Sequence, residues 1–552
     1  MQDVVFTPLV TPDNAAILDK EASSFWGLNP FSLVEAAGRA CAVSLERELG
    51  GITGPILVCA GSGNNGADAL VMLRAILTAD NRGSSRKAAV LLSSCSGGET
   101  SPRAGAVKTL KAMGIPVITW NGEEQFTELF RNAALIIDGI AGTGLRGALK
   151  GAAHEMFIAV NKRRNTIQTM QPCTVVSIDI PSGAGIEWKP DFPVVNADYT
   201  LAVEPLKTVL YTPALRPMAG KIIPVRGIFP PHLLSQFCDA ELLCWENQCR
   251  AVPTVPPDAY KYNRGLVEVH AGKTGFTGAA RIAAEGASAA GAGLVRLILD
   301  DDLYSVLAAA FGGVMPVPFS MWSASAESIA GKDEPKGIRF KADALLLGPG
   351  WGRGEERLPI LRRALEAEQS GIPLVLDADG IFLLKKLSEE RGESLVFNGR
   401  TILCPHAGEL EALSGIAKEK LLSEPALIAD FAQKINAVIL FKSHVMIIAE
   451  PGGKLGFIDG MDPSLGAGGS GDLLAGLCAG IAGRMKAAEG QVADGLDLFN
   501  VAAAAGTLLT AAAARLGRRF YDPLELAKPA AALAGFAWLP QAAWLPPGEN
   551  DG

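Results

Sequence analysis

The chain has 552 residues, a length that suggests roughly two to four domains. Hydrophobic residues make up 49% of it and charged residues 20%, which is ordinary for a folded globular protein and excludes a largely disordered chain. The net charge of -8, without any block of basic residues and interleaved aromatics, argues against nucleic-acid binding.

The cysteines and the N-terminus bear on cellular location. Nine scattered cysteines, with no C-x-x-C pair and no zinc-like spacing, indicate free thiols in a reducing compartment. Residues 1–12 lack the basic and apolar regions of a signal peptide, and the Ala-rich run 501–514 is too short to span a bilayer. We therefore expect a cytoplasmic protein with no membrane partner.

The first series of predicted elements has the rhythm of a doubly wound α/β domain. A helical pattern at residues 33–49 precedes an apolar strand at 55–60, a glycine-rich turn at 61–68 and a helix at 69–78. Further strands are predicted at 88–93, 117–120, 134–138, 174–179 and 199–203.

Three of these strands end in glycine and polar residues. They are followed by the turn 61–68, by Asp138 with the Gly-Thr-Gly of 142–144, and by Asp179 with Ser182. In open parallel sheets, ligands bind outside the carboxyl ends of the strands. We therefore expect these residues to converge on one crevice.

Gly61, Gly63 and Gly66 also match the dinucleotide fingerprint G-x-G-x-x-G, which raises the alternative of a dehydrogenase. That fingerprint calls for an acidic residue at the end of the second strand, to bind the ribose. The second strand here ends Leu-Leu-Ser-Ser at 91–94, so a plain hydride-transfer enzyme is disfavoured.

The pattern breaks between residues 233 and 263, where Pro253, Pro256 and Pro257 indicate a domain boundary. A second α/β series follows, and its strands also end in glycine and polar groups. These strands are predicted at 265–269, 294–299, 342–347, 373–376, 401–404 and 437–441. Two domains, each with its own crevice, are the simplest interpretation.

The stretch 466–472, Gly-Ala-Gly-Gly-Ser-Gly-Asp, precedes an apolar helical run. A helix that begins at Asp472 would point its free N–H groups and positive dipole end into the glycine turn, which suits a phosphate group. Asp472 could take a proton from an adjacent hydroxyl. The alternative is an ordinary N-capped helix after a glycine-rich loop.

Together these motifs resemble those of the bifunctional NAD(P)H-hydrate repair enzymes. The family patterns G-P-G-N-N-G-G-D-G, D-x-x-x-G-T-G and S-I-D-I-P-S-G are similar to residues 61–69, 138–144 and 177–183. In the second half, G-P-G-x-G, D-A-D, P-H-P-G-E and G-G-T-G-D are similar to 348–352, 377–379, 405–409 and 468–472.

The resemblance implies an α/β protein with an N-terminal Rossmann-like three-layer epimerase domain and a C-terminal ribokinase-like α/β dehydratase domain. The corresponding boundaries are 1–235 and 263–540, with a linker at 236–262 and a tail at 541–552. We also expect a homo-oligomer.

For the epimerase domain, the resemblance implies potassium bound by Asn65, Asp138 and Ser182, and Asp179 as the residue that moves a proton between R and S hydrates. Hard oxygen ligands suit an alkali cation. The implied contacts to the hydrated nucleotide are Asn64, Asn65, Gly66, Ala67, Asp68, Gly142, Thr143, Gly144, Leu145, Arg146, Gly147, Ala148 and Asp179.

For the dehydratase domain, the resemblance implies that ADP, with magnesium, phosphorylates the C6 hydroxyl of the S hydrate. Elimination of phosphate then regenerates NADH or NADPH, with AMP as the other product. Asp472 would be the base, and Gly350, His406 and Asp472 would contact the hydrate. The implied nucleotide-binding residues are Lys442, Ser443, His444, Val445, Met446, Gly468, Gly469, Ser470 and Gly471.

The sequence departs from the family pattern at a few positions. Ala67 and Ala69 replace glycines of the N-terminal loop, which would narrow the pocket if that backbone needs a positive φ. Ser443 and Met461 replace usual residues near the nucleotide and bear on the choice between ADP and ATP. Two alternatives stay open: a ribokinase-type vitamin or sugar kinase with an accessory Rossmann-like domain, and a non-catalytic nucleotide-sensing or protein-binding module.

Overall fold

The computed structural model describes residues 7–51, 53–79, 86–94, 101–165, 172–255, 258–327, 340–392, 395–489, 496–517 and 519–536. The chain forms two compact units. One is Pro8–Ala240, here called the N-terminal unit, and the other, the C-terminal unit, begins at Glu241. Each has its own hydrophobic core.

The N-terminal unit alternates strands and helices along most of its length. Its strands are β1 (Pro8–Val10), β2 (Ile56–Ala60), β3 (Ala88–Leu92), β4 (Val117–Thr119), β5 (Leu135–Gly139), β6 (Thr174–Ile178), β7 (Tyr199–Val203), β8 (Leu206–Lys207) and β9 (Lys221–Val225). Its helices are α1 (Pro12–Ser24), α2 (Pro30–Leu49), α3 (Asn64–Ala79), α4 (Pro102–Ala112), α5 (Thr127–Asn132), α6 (Gly151–Asn165) and α7 (Pro231–Leu234).

The main sheet of this unit is parallel, with the strand order β4-β3-β2-β5-β6-β7-β9. The order reverses between β2 and β5, which makes the gap beyond their carboxyl ends the switch point of the sheet. Ile56 and Val58 of β2 pack on one face with α2 and α3, whereas Leu57 and Cys59 pack on the other with α6. The predicted doubly wound, Rossmann-like architecture is confirmed.

The C-terminal unit is also an α/β structure. Its strands are β10 (Ala240–Leu242), β11 (Leu266–His270), β12 (Leu294–Leu299), β13 (Val314–Pro318), β14 (Ala344–Leu347), β15 (Leu374–Leu376), β16 (Thr401–Leu403), β17 (Val438–Phe441), β18 (Val445–Ala449) and β19 (Leu455–Asp459). Its helices are α8 (Trp245–Gln248), α9 (Thr277–Ala289), α10 (Asp301–Leu307), α11 (Phe319–Glu327), α12 (Leu358–Gln369), α13 (Asp379–Arg391), α14 (Ala407–Ser414), α15 (Lys418–Ser423), α16 (Pro425–Ile435), α17 (Ser470–Ala487), α18 (Leu498–Leu516) and α19 (Ala527–Phe536).

The strands β13-β12-β11-β14-β15-β16-β17 lie side by side and parallel, and β18 and β19 add an antiparallel extension. Below this sheet, α17 packs closely on α9. A Cβ at Gly476 would lie only 2.1 Å from the carbonyl oxygen of Ala283, so only glycine permits this helix spacing. This packing fixes the N-terminus of α17, and the predicted α/β class is confirmed, whereas the ribokinase-like assignment stays a prediction.

One helix in the described part of the chain, α18, is long and apolar enough to cross a membrane by length and composition, with a mean hydropathy of 1.3. It is longer than the Ala-rich run used for the prediction. In this fold 72% of its apolar window is buried, and Val501, Leu508 and Ala512 belong to the core of the C-terminal unit. The helix therefore packs as a core helix.

The structure differs from the sequence-based expectations at several boundaries. The stretch expected to be loop up to residue 68 is helical from Asn64, because Gly61 to Gly63 suffice for the turn and Ala67 favours a helix. Helix α17 begins at Ser470, two residues before Asp472. The predicted linker 236–262 contains β10 and α8, and the predicted tail 541–552 lies outside the described residues.

Candidate active sites

A cavity of about 770 Å³ lies at the switch point of the N-terminal sheet. It is lined by residues that follow β2, β5 and β6, and by one face of α1. All the residues predicted to face the hydrated nucleotide line it, except Ala67 and Gly147. Ala67 is instead buried in the first turns of α3, with 1% of its surface exposed.

Asp138 is the buried centre below this cavity. Its Oδ1 accepts hydrogen bonds from Ser182 Oγ (2.5 Å) and Ile140 N (3.2 Å), and its Oδ2 accepts from Ser177 Oγ (2.7 Å) and Ser182 N (3.0 Å). Burial raises the pKa of Asp138, although these hydrogen bonds oppose the rise. The structure therefore brings Asp138 and Ser182 together, as predicted for the cation site.

Asn65, the third predicted potassium ligand, lies in the first turn of α3. Both its Oδ1 and its Nδ2 are buried without a hydrogen-bond partner in the described part of the chain. Burying an amide group without hydrogen-bond partners costs free energy. The described residues therefore leave the Asn65 side chain without the partners that its burial calls for. A cation bound at Oδ1 would supply the partner that this oxygen lacks.

Asp179 follows β6 and is held by an ion pair. Lys207 Nζ donates to Asp179 Oδ1 at 2.5 Å and to the carbonyl oxygen of Val203 at 2.8 Å, and both side chains are largely buried. Asp179 has a φ of 66°, an unusual backbone conformation for a non-glycine residue. Such strain is common at functional sites.

Four charged residues of this cavity were missed by the sequence analysis: Asp19 on α1, Lys150, Glu204 and Lys207. None belongs to a recognisable motif. Glu204 accepts hydrogen bonds from the backbone N–H groups of Ile228 and Phe229, so its carboxylate is already satisfied. Asp19 lies at the mouth of the cavity and is accessible to solvent. The cavity walls still surround its carboxyl group, and this burial raises its pKa to about 6.

In the C-terminal unit, a glycine turn leads into α17. Gly469 has a φ of 101°, and Ser470 Oγ ties the turn together through the carbonyl oxygens of Leu465 (2.7 Å) and Ala467 (2.9 Å). The first N–H groups of an α-helix have no intrahelical partner. Ser470 N donates to the carbonyl oxygen of Ala467 at 3.3 Å, so the turn offers its other N–H groups and the positive end of the α17 dipole, an arrangement that suits a phosphate group.

The neighbouring strands β15, β16 and β17 bring three charged residues beside this turn. Lys442 pairs with Asp377 Oδ1 and lies 4.0 Å from Glu409 Oε2. Its Nζ is 3.4 Å from where a Cβ of Gly471 would be. Burial alone would lower the pKa of Lys442, but the Asp377 and Glu409 carboxylates outweigh it and raise the pKa above its ordinary value.

Asp472 is the acid of the first turn of α17. Burial and then the Asp377 carboxylate raise the pKa of Asp472 to about 7, against the opposing effect of Lys442. A carboxyl group with a pKa near neutrality is suited to accepting a proton at physiological pH. Asp377 belongs to the D-A-D motif at 377–379, and the sequence analysis assigned it no role. Its negative charge contributes to the raised pKa of Asp472.

His406 and Gly350 lie at other strand ends of the same sheet. His406 caps α14: its Nδ1 accepts from the N–H groups of Gly408 (3.0 Å) and Glu409 (3.1 Å), and its Nε2 lies 3.3 Å from Glu409 Oε1. The cap fixes the ring but leaves 59% of the side chain exposed. Gly350 packs against Phe276 and Ala279 at the start of α9.

The predicted nucleotide-binding residues 442–446 do not form one continuous surface. Lys442 lies beside the glycine turn, and Ser443 Oγ donates to the carbonyl oxygen of Val445 at 2.5 Å. Val445 and Met446 belong to β18, and their side chains are 0% and 5% exposed in the core. Their side chains are therefore unavailable to a ligand. A nucleotide would contact the backbone of β18 and the polar residues before it.

Two family models match the sequence. One, described as NAD(P)H-hydrate dehydratase, matches residues 267–527, and the other, described as the YjeF-related protein N-terminus, matches residues 31–209. The bifunctional NAD(P)H-hydrate repair enzyme of Salinibacter ruber is 30% identical over 538 residues, which cover 94% of each chain. The enzyme of the same name from Moorella thermoacetica is 30% identical over 491 residues, covering 86% of this chain and 88% of its own.

Solved structures also resemble the C-terminal half. An ADP/ATP-dependent NAD(P)H-hydrate dehydratase from Bacillus subtilis, co-crystallised with ATP and Mg²⁺, is 21% identical. The match covers 53% of this chain and 97% of that one, with a TM-score of 0.43.

Proposed function

This chain belongs to the family of bifunctional NAD(P)H-hydrate repair enzymes, and on that premise we propose how its two sites divide the reaction. The protein is an NAD(P)H-hydrate epimerase and dehydratase that acts in metabolite repair. The N-terminal cavity interconverts the R and S hydrates. The C-terminal site converts the S hydrate to NADH or NADPH at the expense of ADP, which yields AMP and phosphate.

The observation that carries the dehydratase assignment is the placement of Asp472 at the lip of the glycine turn, beside Lys442. Asp472 takes the proton of the C6 hydroxyl as that oxygen attacks the terminal phosphorus of ADP. The N–H groups of Gly468, Gly469 and Gly471 and the Lys442 ammonium stabilise the charge on the transferred phosphoryl group. Phosphate then leaves C6, and loss of a proton from C5 completes the reduced ring.

In the N-terminal cavity, Asp179 is the proton acceptor for inversion at C6, and its pairing with Lys207 holds it in place. The predicted substrate contacts that line the cavity, from Asn64 to Asp68 and from Gly142 to Ala148, form its walls. Gly350 and His406 remain the proposed hydrate contacts of the C-terminal site, with residues 442–444 and 468–471 as the nucleotide contacts.

The metal assignments follow from the donor sets. The unpartnered Asn65 amide, Asp138 and Ser182 offer the oxygen ligands that suit potassium, which would neutralise the buried Asp138 charge. In the described residues, no group of three or more His, Cys, Asp or Glu side chains is placed to hold a metal. Magnesium would therefore enter with ADP and be held mainly through its phosphates.

The cellular location and the oligomeric state of the protein are predictions. The eight cysteines of the described residues are free thiols, which supports the expected cytoplasmic location. A homo-oligomer is expected, and sedimentation of the purified protein would measure its size.

The test is incubation of the purified protein with S-NADHX and ADP. We expect absorbance at 340 nm to appear together with AMP and phosphate, and R-NADHX to be consumed at a rate set by epimerisation. If no NADH forms and a vitamin or sugar is phosphorylated instead, the ribokinase-type alternative holds. Comparing KCl with NaCl and with LiCl in the epimerase assay tests the potassium site.

A further inference from the structure

Four carboxyl groups, those of Glu204 and of three Asp residues, line the N-terminal cavity together with Lys150, Arg146 and Lys207. Asp19 comes from α1, Asp68 from α3 and Asp179 from the end of β6, while Lys207 comes from β8. The Lys207 amine donates its hydrogen bonds to Asp179 and to the Val203 carbonyl oxygen. Within the described ranges, no Lys, Arg or His nitrogen lies within 4 Å of Asp19 or Asp68.

Asp68 is a buried carboxyl group with an unpartnered oxygen. Its Oδ1 is buried and has no hydrogen-bond partner in the described part of the chain. Burial, followed by the charges of Asp179 and Asp19, raises the pKa of Asp68 well above its usual range, and the more distant Lys207 only partly opposes this. The environment of Asp68 therefore favours its protonated form, whereas Asp179 accepts a hydrogen bond from the Lys207 ammonium group at 2.5 Å.

We propose that Asp68 is the proton donor and Asp179 the proton acceptor of epimerisation, and that Lys207 maintains this division by pairing with Asp179 alone. Two carboxyl groups whose environments favour opposite protonation states mark an acid and base pair. The inference rests on the proposed epimerase function of this cavity and adds Asp68 to its chemistry.

Inversion at C6 needs both roles. Asp68 gives its proton to the C6 hydroxyl, the C6–O bond breaks, and the ring nitrogen lone pair forms a C=N bond as water leaves. A water molecule then adds to C6 from the other face, and its proton passes to Asp179. Return of one proton from Asp179 to Asp68 restores the starting state, so that no atom or electron is gained or lost.

The groups that face Asp68 determine the pH range in which it loses its proton. They are Asp19 from α1, the buried thiol of Cys41 from α2, Asp179, Lys207 and the satisfied carboxylate of Glu204. Asp19 is the one at the mouth of the cavity, and its negative charge raises the pKa of Asp68. Removing that charge lowers the pKa of Asp68, so epimerisation is then lost at a lower alkaline pH.

The experiment uses the full chain and follows the R to S conversion by chromatography across pH. Asp68→Asn should lower the rate by ~10²-fold or more, the range of a lost general acid, while dehydration of supplied S-NADHX stays at the wild-type rate. Asp19→Asn should move the alkaline limb of the profile to lower pH. Asp13→Asn removes the same charge from an exposed position of α1 and should leave the profile unchanged.

A second measurement tests the bond that breaks. In H₂¹⁸O, each inversion should place one solvent oxygen on C6, and product without label would overturn the step. The inference is also overturned if Asp68→Asn epimerises at the wild-type rate, or if Asp19→Asn leaves the alkaline limb in place. A wild-type protein that does not interconvert the hydrates contradicts the proposed function itself, a separate outcome.

Discussion

At the scale of single residues, the C-terminal site depends on how one lysine is shared among carboxylates. Lys442 pairs with Asp377 and approaches Glu409, and the Asp377 Oδ2 has no partner among the described residues. Burial raises the pKa of Asp472 to about 7, and the Asp377 carboxylate adds to the rise, which Lys442 only partly opposes. The proposed base is tuned by residues that do not themselves accept the proton.

Asp472→Asn should abolish dehydration, with a loss of ~10²–10⁴-fold, because the general base is removed. In the wild-type protein the dehydration rate should rise as pH increases through about 7, since Asp472 acts in its ionised form. Measuring NADH formation from S-NADHX at pH 5 to 9 checks both points. Epimerisation by the same variant should be unchanged, and a dehydration rate near wild type would contradict the role of Asp472.

Lys442→Met should destabilise the C-terminal unit by about 3–5 kcal/mol, because it leaves the buried Asp377 carboxylate without its partner. Acidification should recover part of this loss, since burial already raises the pKa of Asp377 and protonation removes the unpaired charge. Urea unfolding at two pH values measures the effect. Lys434→Met, at an exposed position of α16, is the matched control and should change stability little.

At the scale of elements, the start of α3 shows why two departures from the family pattern are tolerated. Ala67 and Ala69 would be damaging if they occupied a loop that required positive φ. Both instead lie in helical backbone, buried, with 1% and 0% of their surfaces exposed. We expected a narrowed pocket because the predicted helix began at residue 69, whereas α3 begins at Asn64.

Ala69→Gly should therefore lower the stability of the N-terminal unit by about 1 kcal/mol without increasing epimerase activity, although it restores the family's usual residue. The physical reason is that glycine has more freedom to lose in a helix and leaves a small gap in the core. Thermal unfolding and the epimerase assay check the two parts. A clear gain in epimerisation would show that the methyl group obstructs the cavity.

At the scale of the whole molecule, two separate sites must both work to repair a mixture of hydrates. Asp179→Asn should leave the S half of an equal R and S mixture rapidly convertible to NADH with ADP. The R half should then follow only at the spontaneous rate of epimerisation, because the N-terminal proton acceptor is missing. A progress curve at 340 nm with a fast half and a slow half is the expected result. Complete rapid conversion would remove Asp179 from the mechanism.

Much of the fold was predictable, because strands, glycine turns and helices follow one another in local patterns that a sequence records directly. The strands at 199–203 and 294–299 were predicted with the bounds that the structure gives. Edge and extension strands such as β8, β10 and β18 were missed, because short strands are defined by their partners and carry little pattern of their own.

The sequence by itself determined the α/β class, the glycine turn before Asp472 and the polar strand ends, since each depends on residues close together in the chain. Only the tertiary structure decided which charges meet. The order β15-β16-β17 places Lys442 on Asp377, and the fold of the N-terminal unit brings Asp19 and Lys207 to Asp68 and Asp179. Burial and neighbouring charge set the proton affinity of a carboxyl group, and both arise only when distant segments pack together.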